Sequence, residues 1–261
     1  MISEILTFVI FVMIGLEIRN GLNQPRAAIL PTLCALSGMI FPALIFNVFG
    51  THSSAWAVAM PTDVALAVGA LSILGKRVNP AIRLFLLTLA VADDFFSLIV
   101  IGIFFRSHLD LVSSLNTLGA ALIGFLLPYR KFIIKHLLPA TTFVVIPAYI
   151  AINLLAHLNF SLANSKLSVA LITARVVGKV FGITLAAWIF SRFTFLKLPR
   201  DLNLNEIAGV GLLAGMGLTV SLVLAKITLS TTQALGEVRI GLFIAALVSG
   251  LLGLAWLRFI A

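Results

Sequence analysis

The chain has 261 residues, of which 61% are hydrophobic and only 10% charged. An ordinary soluble domain carries roughly 45–50% apolar and about 25% charged residues, so that class is excluded. The net charge of +9 sits on too few charges in too apolar a chain for a nucleic-acid binder, and the lone Cys34 excludes a disulfide framework or a cysteine metal cluster. An all-α polytopic membrane protein remains.

Nine apolar runs follow one another at about 5–22, 27–49, 55–74, 81–105, 111–128, 136–158, 166–191, 207–227 and 238–258. None alternates with the period of two that a membrane β-barrel requires. The first run lacks the pattern of a cleavable leader: Ser3 and Glu4 stand where basic residues belong, and it ends in Gly15-Leu16-Glu17-Ile18-Arg19. Loops are short and no Pro- or Ser-rich linker intervenes, which predicts one membrane domain over 1–261 with about nine crossings and lipid around it.

The basic residues test this parsing. One set of alternate connections holds Arg19, Arg26, Lys76, Arg77, Arg83, Arg130, Lys131, Lys135, Arg192, Lys197, Arg200 and Arg258; the other holds Arg106, Lys166, Lys226 and Arg239. Twelve against four predicts a cytoplasmic C-terminus and, with nine crossings, Met1 outside. Arg175 and Lys179 fall inside a run.

Four ionisable residues stand out within the runs: Asp63, Asp93, Asp94 and Lys179. Each costs roughly 2.5–3.5 kcal/mol at a helix centre, so the Asp93-Asp94 pair costs about 5–7 kcal/mol. The sixteen Leu, Ile, Val and Phe residues between Ile82 and Phe105 return about 5–10 kcal/mol. That helix inserts with little margin and must turn the pair toward a bundle or water. Adjacent carboxylates point about 100° apart on a helix, so one lysine cannot serve both. Such a pair accepts either a proton or a hard cation with oxygen ligands, in competition. A lone Lys179 reads equally well as a helix–helix tether.

Met60-Pro61-Thr62-Asp63 interrupts the third run, since proline removes a donor and disfavours helix before it. A second interruption is expected in the glycine-rich stretch 209–217. Paired interruptions point to discontinuous helices in a transporter, with Asp63 offsetting half-helix N-termini and Lys179 offsetting C-termini. Close helix packing through Gly211 and Gly215 is the competing reading of those glycines. His52, His108, His136 and His157 lie near run ends, and neither a P-loop nor another enzymatic constellation is present, so no enzyme is expected.

Five stretches, IGLEIRNGL (14–22), PTDVALAVGALSILGKRV (61–78), LAVADD (89–94), VVGKVFGI (176–183) and GLLAGMGLTVS (211–221), resemble NhaA-type Na+/H+ antiporters in the family's order. The resemblance implies an inverted-repeat transporter fold whose two discontinuous helices cross near the bilayer midplane. It implies a bacterial inner-membrane Na+ (or Li+)/H+ antiporter without a cofactor. Asp94 would be the main ligand of the transported cation and Asp93 a second titrating carboxylate that pairs with Lys179. Thr62 and Asp63 would lie at the crossing of the broken chains, and Glu17 would belong to a funnel linked to pH response.

Departures from the family accompany these matches. The family's first helix and about two helices in the region 105–115 are missing, which counts against the family's homodimer. Gly21 stands where a second acidic residue is common, Leu115 replaces a histidine, and Val180 replaces a proline. The shortened chain is expected to bind cations better than it turns over. A non-transporting scaffold or subunit is the alternative. An organic-anion symporter is a third reading, opposed by the Asp pair.

Overall fold

The computed structural model describes residues 2–21, 25–49, 54–75, 78–105, 115–127, 139–193, 198 and 202–260. Among these, the elements are helical throughout. They comprise α1 (Ile2–Gly21), α2 (Pro25–Val48), a 3-10 segment (Ser54–Ala59), α3 (Val64–Ile73) and α4 (Pro80–Phe104). A π turn (Leu115–Gly119) leads into α5 (Ala120–Leu126), and a second (Thr141–Val145) into α6 (Ile146–Asn153). Then come α7 (Lys166–Thr173), a third π turn (Ala174–Gly178), α8 (Lys179–Phe193), α9 (Leu204–Ala214), α10 (Thr219–Thr228) and α11 (Thr232–Ile260).

Each of the nine apolar runs carries helix. Among the described residues, five stretches are long and apolar enough to cross a bilayer: Ala28–Val48, Ala55–Ile73, Pro80–Phe104, Lys166–Phe193 and Thr232–Ile260. The pair α9 and α10 makes a sixth, bent by 51° at its break. The run 5–22 is α1, which carries Glu4, Glu17 and Arg19. The runs 111–128 and 136–158 hold the shorter apolar helices Thr117–Leu126 and Thr141–His157. The connection 105–115, the loop residues Lys76, Arg77, Arg106, Arg130, Lys131, Lys135, Lys197 and Arg200, and His52, His108 and His136 lie outside the described residues, or at their edge for 105 and 115.

Local chemistry fixes the element ends. Asn79 caps α4 by accepting from the Ala81 N–H at 2.9 Å, with Pro80 in the first turn where no donor is needed. Arg19 at the end of α1 donates to the carbonyls of Phe125, Leu126 and Leu127, the free acceptors at the C-terminal end of α5. These helices touch backbone to backbone: a Cβ at Gly124 would collide with the Val12 carbonyl, and one at Gly15 with that of Ala121. Further along, α8 packs on α2 and α9, and α11 packs on α9 and α7.

The buried apolar side chains form two clusters. One holds Ala59, Met60, Ile101, Leu171, Ala174 and Leu218; the other holds Ala67, Leu71, Leu89, Ala92, Ile183 and Ala214. Among the described residues six segments pass from one cluster to the other, between 35 and 39, 60 and 67, 92 and 101, 174 and 183, 214 and 218, and 246 and 257; the middle four concern the site. The buried charged residues lie at those four passages.

Candidate functional site

Both expected interruptions are present. After the 3-10 segment the chain runs without helix through 61–63, and Asp63 is extended at φ −97° and ψ 105°. After α9 it runs without helix through 216–218. The two extended pieces lie together: the Asp63 N–H donates to the Met216 carbonyl at 2.9 Å, and the Thr62 hydroxyl to the Ala214 carbonyl at 2.9 Å. The glycine stretch serves both sequence readings. Gly211 lets α9 approach α8, where a Cβ would stand 3.0 Å from Val180 Cα, while Gly215 and Gly217 lie at the break.

Helix ends carry partial charge, positive at the N-terminus and negative at the C-terminus. Asp63 precedes α3 without capping it; its carboxylate instead accepts the N–H of Thr219, the first residue of α10, at 3.1 Å. It thus lies next to the N-terminal ends of both half-helices. Lys179 lies beside the crossing through Thr62. Its ammonium donates to Thr62 Oγ1 at 2.8 Å and to Asp93 Oδ2 at 2.7 Å, and reaches no helix-end carbonyl.

Those carbonyls belong to Arg175, a fully buried residue. Its guanidinium donates to the carbonyls of Val58 (2.8 Å), Pro61 (2.6 Å) and Gly215 (3.2 Å), and to the Ser221 hydroxyl (2.7 Å). The sequence placed Arg175 inside a run but gave it no task. An arginine one turn before Lys179 was the available signal; its acceptors, being backbone, leave no trace in a sequence.

Asp93 and Asp94 diverge as helical neighbours must. Asp93 is wholly buried against Lys179, with Oδ2 in the ion pair and Oδ1 lacking a hydrogen-bond partner. Asp94, 4% exposed, points to the other side and lines a small cleft with Glu17, Asp63, Thr141, Thr142 and Thr219. Met13, Ile14, Val64 and Val220 complete much of its apolar wall. Asp94 Oδ1 and Thr141 Oγ1 are buried there without hydrogen-bond partners. Buried polar atoms of this kind are uncommon and call for a reason. Of the residues singled out in the sequence, Thr62, Asp93 and Lys179 meet directly, while Asp63, Asp94 and Glu17 share the cleft. His157, by contrast, is exposed in a 3-10 turn far along the chain from the others.

An all-helical, bilayer-length bundle with two interrupted segments crossing at a buried charge set defines a polytopic membrane transporter. Comparison with known proteins names the family. The family model "Na+/H+ antiporter 1" matches residues 1–137 and 128–257, and the chain belongs to this family. It is 28% identical over 319 aligned positions to proteins named Na(+)/H(+) antiporter NhaA from Salmonella typhimurium and Citrobacter koseri, covering 98% of this chain and 82% of each relative. The protein of that name from Wigglesworthia glossinidia brevipalpis is 28% identical over 326 positions, covering 99% and 82%. The aligned spans are longer than the chain itself, so the relatives carry internal residues that have no counterpart here.

Proposed function

We propose that the chain is a secondary Na+/H+ antiporter in which the cation and the proton compete at Asp93 and Asp94. The observation that carries this reading is the asymmetry of the pair: one carboxylate is held by Lys179, and its neighbour stands buried on a cleft with an unpartnered oxygen. A monovalent cation takes oxygen ligands, and the cleft offers Asp94, the Thr141 and Thr142 hydroxyls, and the carboxylates of Asp63 and Glu17. Na+ and Li+ both suit such a set. Cation entry displaces protons from the carboxylates because both need the same lone pairs. Lys179 and Asp93, buried together, form a pair whose opening exposes a second proton-accepting group.

The crossing supports an inverted-repeat arrangement near the bilayer midplane, with Thr62, Asp63 and Lys179 as charge-compensating or bridging residues and Glu17 as a cleft residue placed to couple pH to the site. One domain of about nine crossings, with the C-terminus in the cytoplasm of a bacterial inner membrane, is part of this reading. Two sets of contacts support the alternation. Lys226 at the end of α10 donates to Ser3 in α1 and to Asn153 at the end of α6, which gathers ends expected outside. Arg19 and the end of α5, and Trp256 with the Asn205 carbonyl (2.9 Å), gather ends expected inside.

Isothermal titration of the purified chain in two buffers of different protonation enthalpy tests the reading. Na+ addition at neutral-to-alkaline pH should release protons, and Asp94→Asn should abolish the release. A pH-dye vesicle assay should show slower exchange than binding alone would allow, since the relatives carry residues that have no counterpart here. Absence of Na+-linked proton release at any pH would return the chain to the scaffold reading.

A further inference from the structure

Building on the antiport reading, we infer that Arg175 is the positioning residue of the crossing: it neutralises the converging half-helix C-termini and thereby leaves Lys179 to Asp93. Two broken segments reach this one side chain. Val58 and Pro61 come from the first and Gly215 and Ser221 from the second, and Arg175 itself belongs to a third segment that continues into Lys179. Arg175 lies within the π turn Ala174–Gly178, and Lys179 follows it directly as the first residue of α8.

A guanidinium is the group for this task. It presents five N–H donors in a rigid planar fork and cannot give up its charge, whereas an ammonium is a compact point charge on a flexible stem. Arg175 makes four hydrogen bonds, three of them to carbonyls at or just beyond helix C-terminal ends. The fit extends to Gly217, where a Cβ would collide with Arg175 Nη2 and with the Pro61 carbonyl. The permanent charge therefore sits where the structure needs constancy, and the titratable Lys179 sits where exchange occurs.

The crossing forms one wall of the cleft through Asp63, Val64, Thr219 and Val220. Loosening it moves those groups relative to Asp94, so cation binding suffers before the rest of the cycle. Arg175→Lys keeps one positive charge but not the fork. In the full chain reconstituted in vesicles, it should raise the apparent KM for Na+ about tenfold in folded, monodisperse protein, with the maximal rate little changed. Gly217→Ala, with Arg175 intact, presses on the same contact and should raise KM in the same direction; it provides the test if the Arg175 variant does not fold. A second readout is independent of transport. With Cys34 replaced, the Val220→Cys variant, at a position 4% exposed, should react at least tenfold faster with a water-soluble methanethiosulfonate when Arg175→Lys or Gly217→Ala is also present.

Unchanged KM and unchanged cysteine reactivity in either folded variant would overturn the inference. So would variants that lose folded yield but keep the wild-type KM in the remainder, the pattern of a merely structural residue. If the unmodified chain shows no Na+-linked proton release, the antiport reading fails, and the labelling rates alone decide the role of Arg175.

Discussion

The crossing and the cleft share a wall but satisfy their polar atoms in opposite ways. At the crossing, Thr62, Asp63, Arg175 and Ser221 are all hydrogen-bonded, mostly to backbone of the other broken segment. In the cleft, Asp94 Oδ1 and Thr141 Oγ1 are buried without partners. Asp93 stands between, with one oxygen on Lys179 and the other unpartnered. A fully satisfied buried network fixes geometry, whereas a partly satisfied one is energetically costly until something completes it. On the proposed reading the first is scaffold and the second is binding surface.

The largest effect that sharpens this contrast is Asp94→Asn, which removes the cleft carboxylate next to Asp93 and should eliminate Na+-linked proton release. Undiminished release in proteoliposomes would mean that the ligand lies elsewhere. Asp93→Asn removes the carboxylate between the two regions but leaves Asp94 in place. It should preserve exchange while displacing its pH profile by about 1–3 units, the range for loss of a close opposite charge; a superimposable profile would detach Asp93 from proton exchange.

Thr62→Val acts on the scaffold side. It removes the bond to Ala214 and the acceptor for Lys179, which should cost about 1–3 kcal/mol of stability, seen as a lower Tm in detergent. No change in Tm would show that the crossing does not depend on this hydroxyl. The smallest effect belongs to Thr141→Val. Its hydroxyl has no partner, so Tm should hold or rise, while KM for Na+ rises about fivefold if one hydrogen-bond-sized interaction of about 1 kcal/mol is lost. A fall in Tm with constant KM would assign Thr141 to packing.

Much of this arrangement was legible in the sequence because the signals were local or costly. Pro61 marks one break, and the cost of carboxylates in an apolar run marks Asp93 and Asp94. Among the described residues, each apolar run carries helix. The shortness of helix around 120–126 and 146–157 was less visible, since apolar length alone does not show where π and 3-10 turns interrupt a run. Arg175 escaped for a different reason. Its partners are carbonyls and one serine brought in from positions up to 117 residues away, and carbonyls are present at every position. Thr219 was likewise silent, because its backbone N–H rather than its side chain meets Asp63. Lys179 meets Asp93, the partner the resemblance implied, but dipole compensation requires a cation without saying which of two, one turn apart, bonds the helix ends.

The two apolar clusters also give the charged layer an electrical position. Chain segments pass from one cluster to the other across 60–67, 92–101, 174–183 and 214–218, so the carboxylates have low-dielectric material on both sides. In an energised membrane the voltage falls across low-dielectric material, and a unit charge crossing the whole membrane changes energy by about 2.3 kcal/mol per 100 mV. An ion that enters this layer from one side has traversed only part of the field, roughly 1 kcal/mol per 100 mV when the two sides are equal. An exchange of unequal positive charge through that layer draws on the membrane voltage as well as on the concentration gradients, and its direction can be reversed by voltage alone.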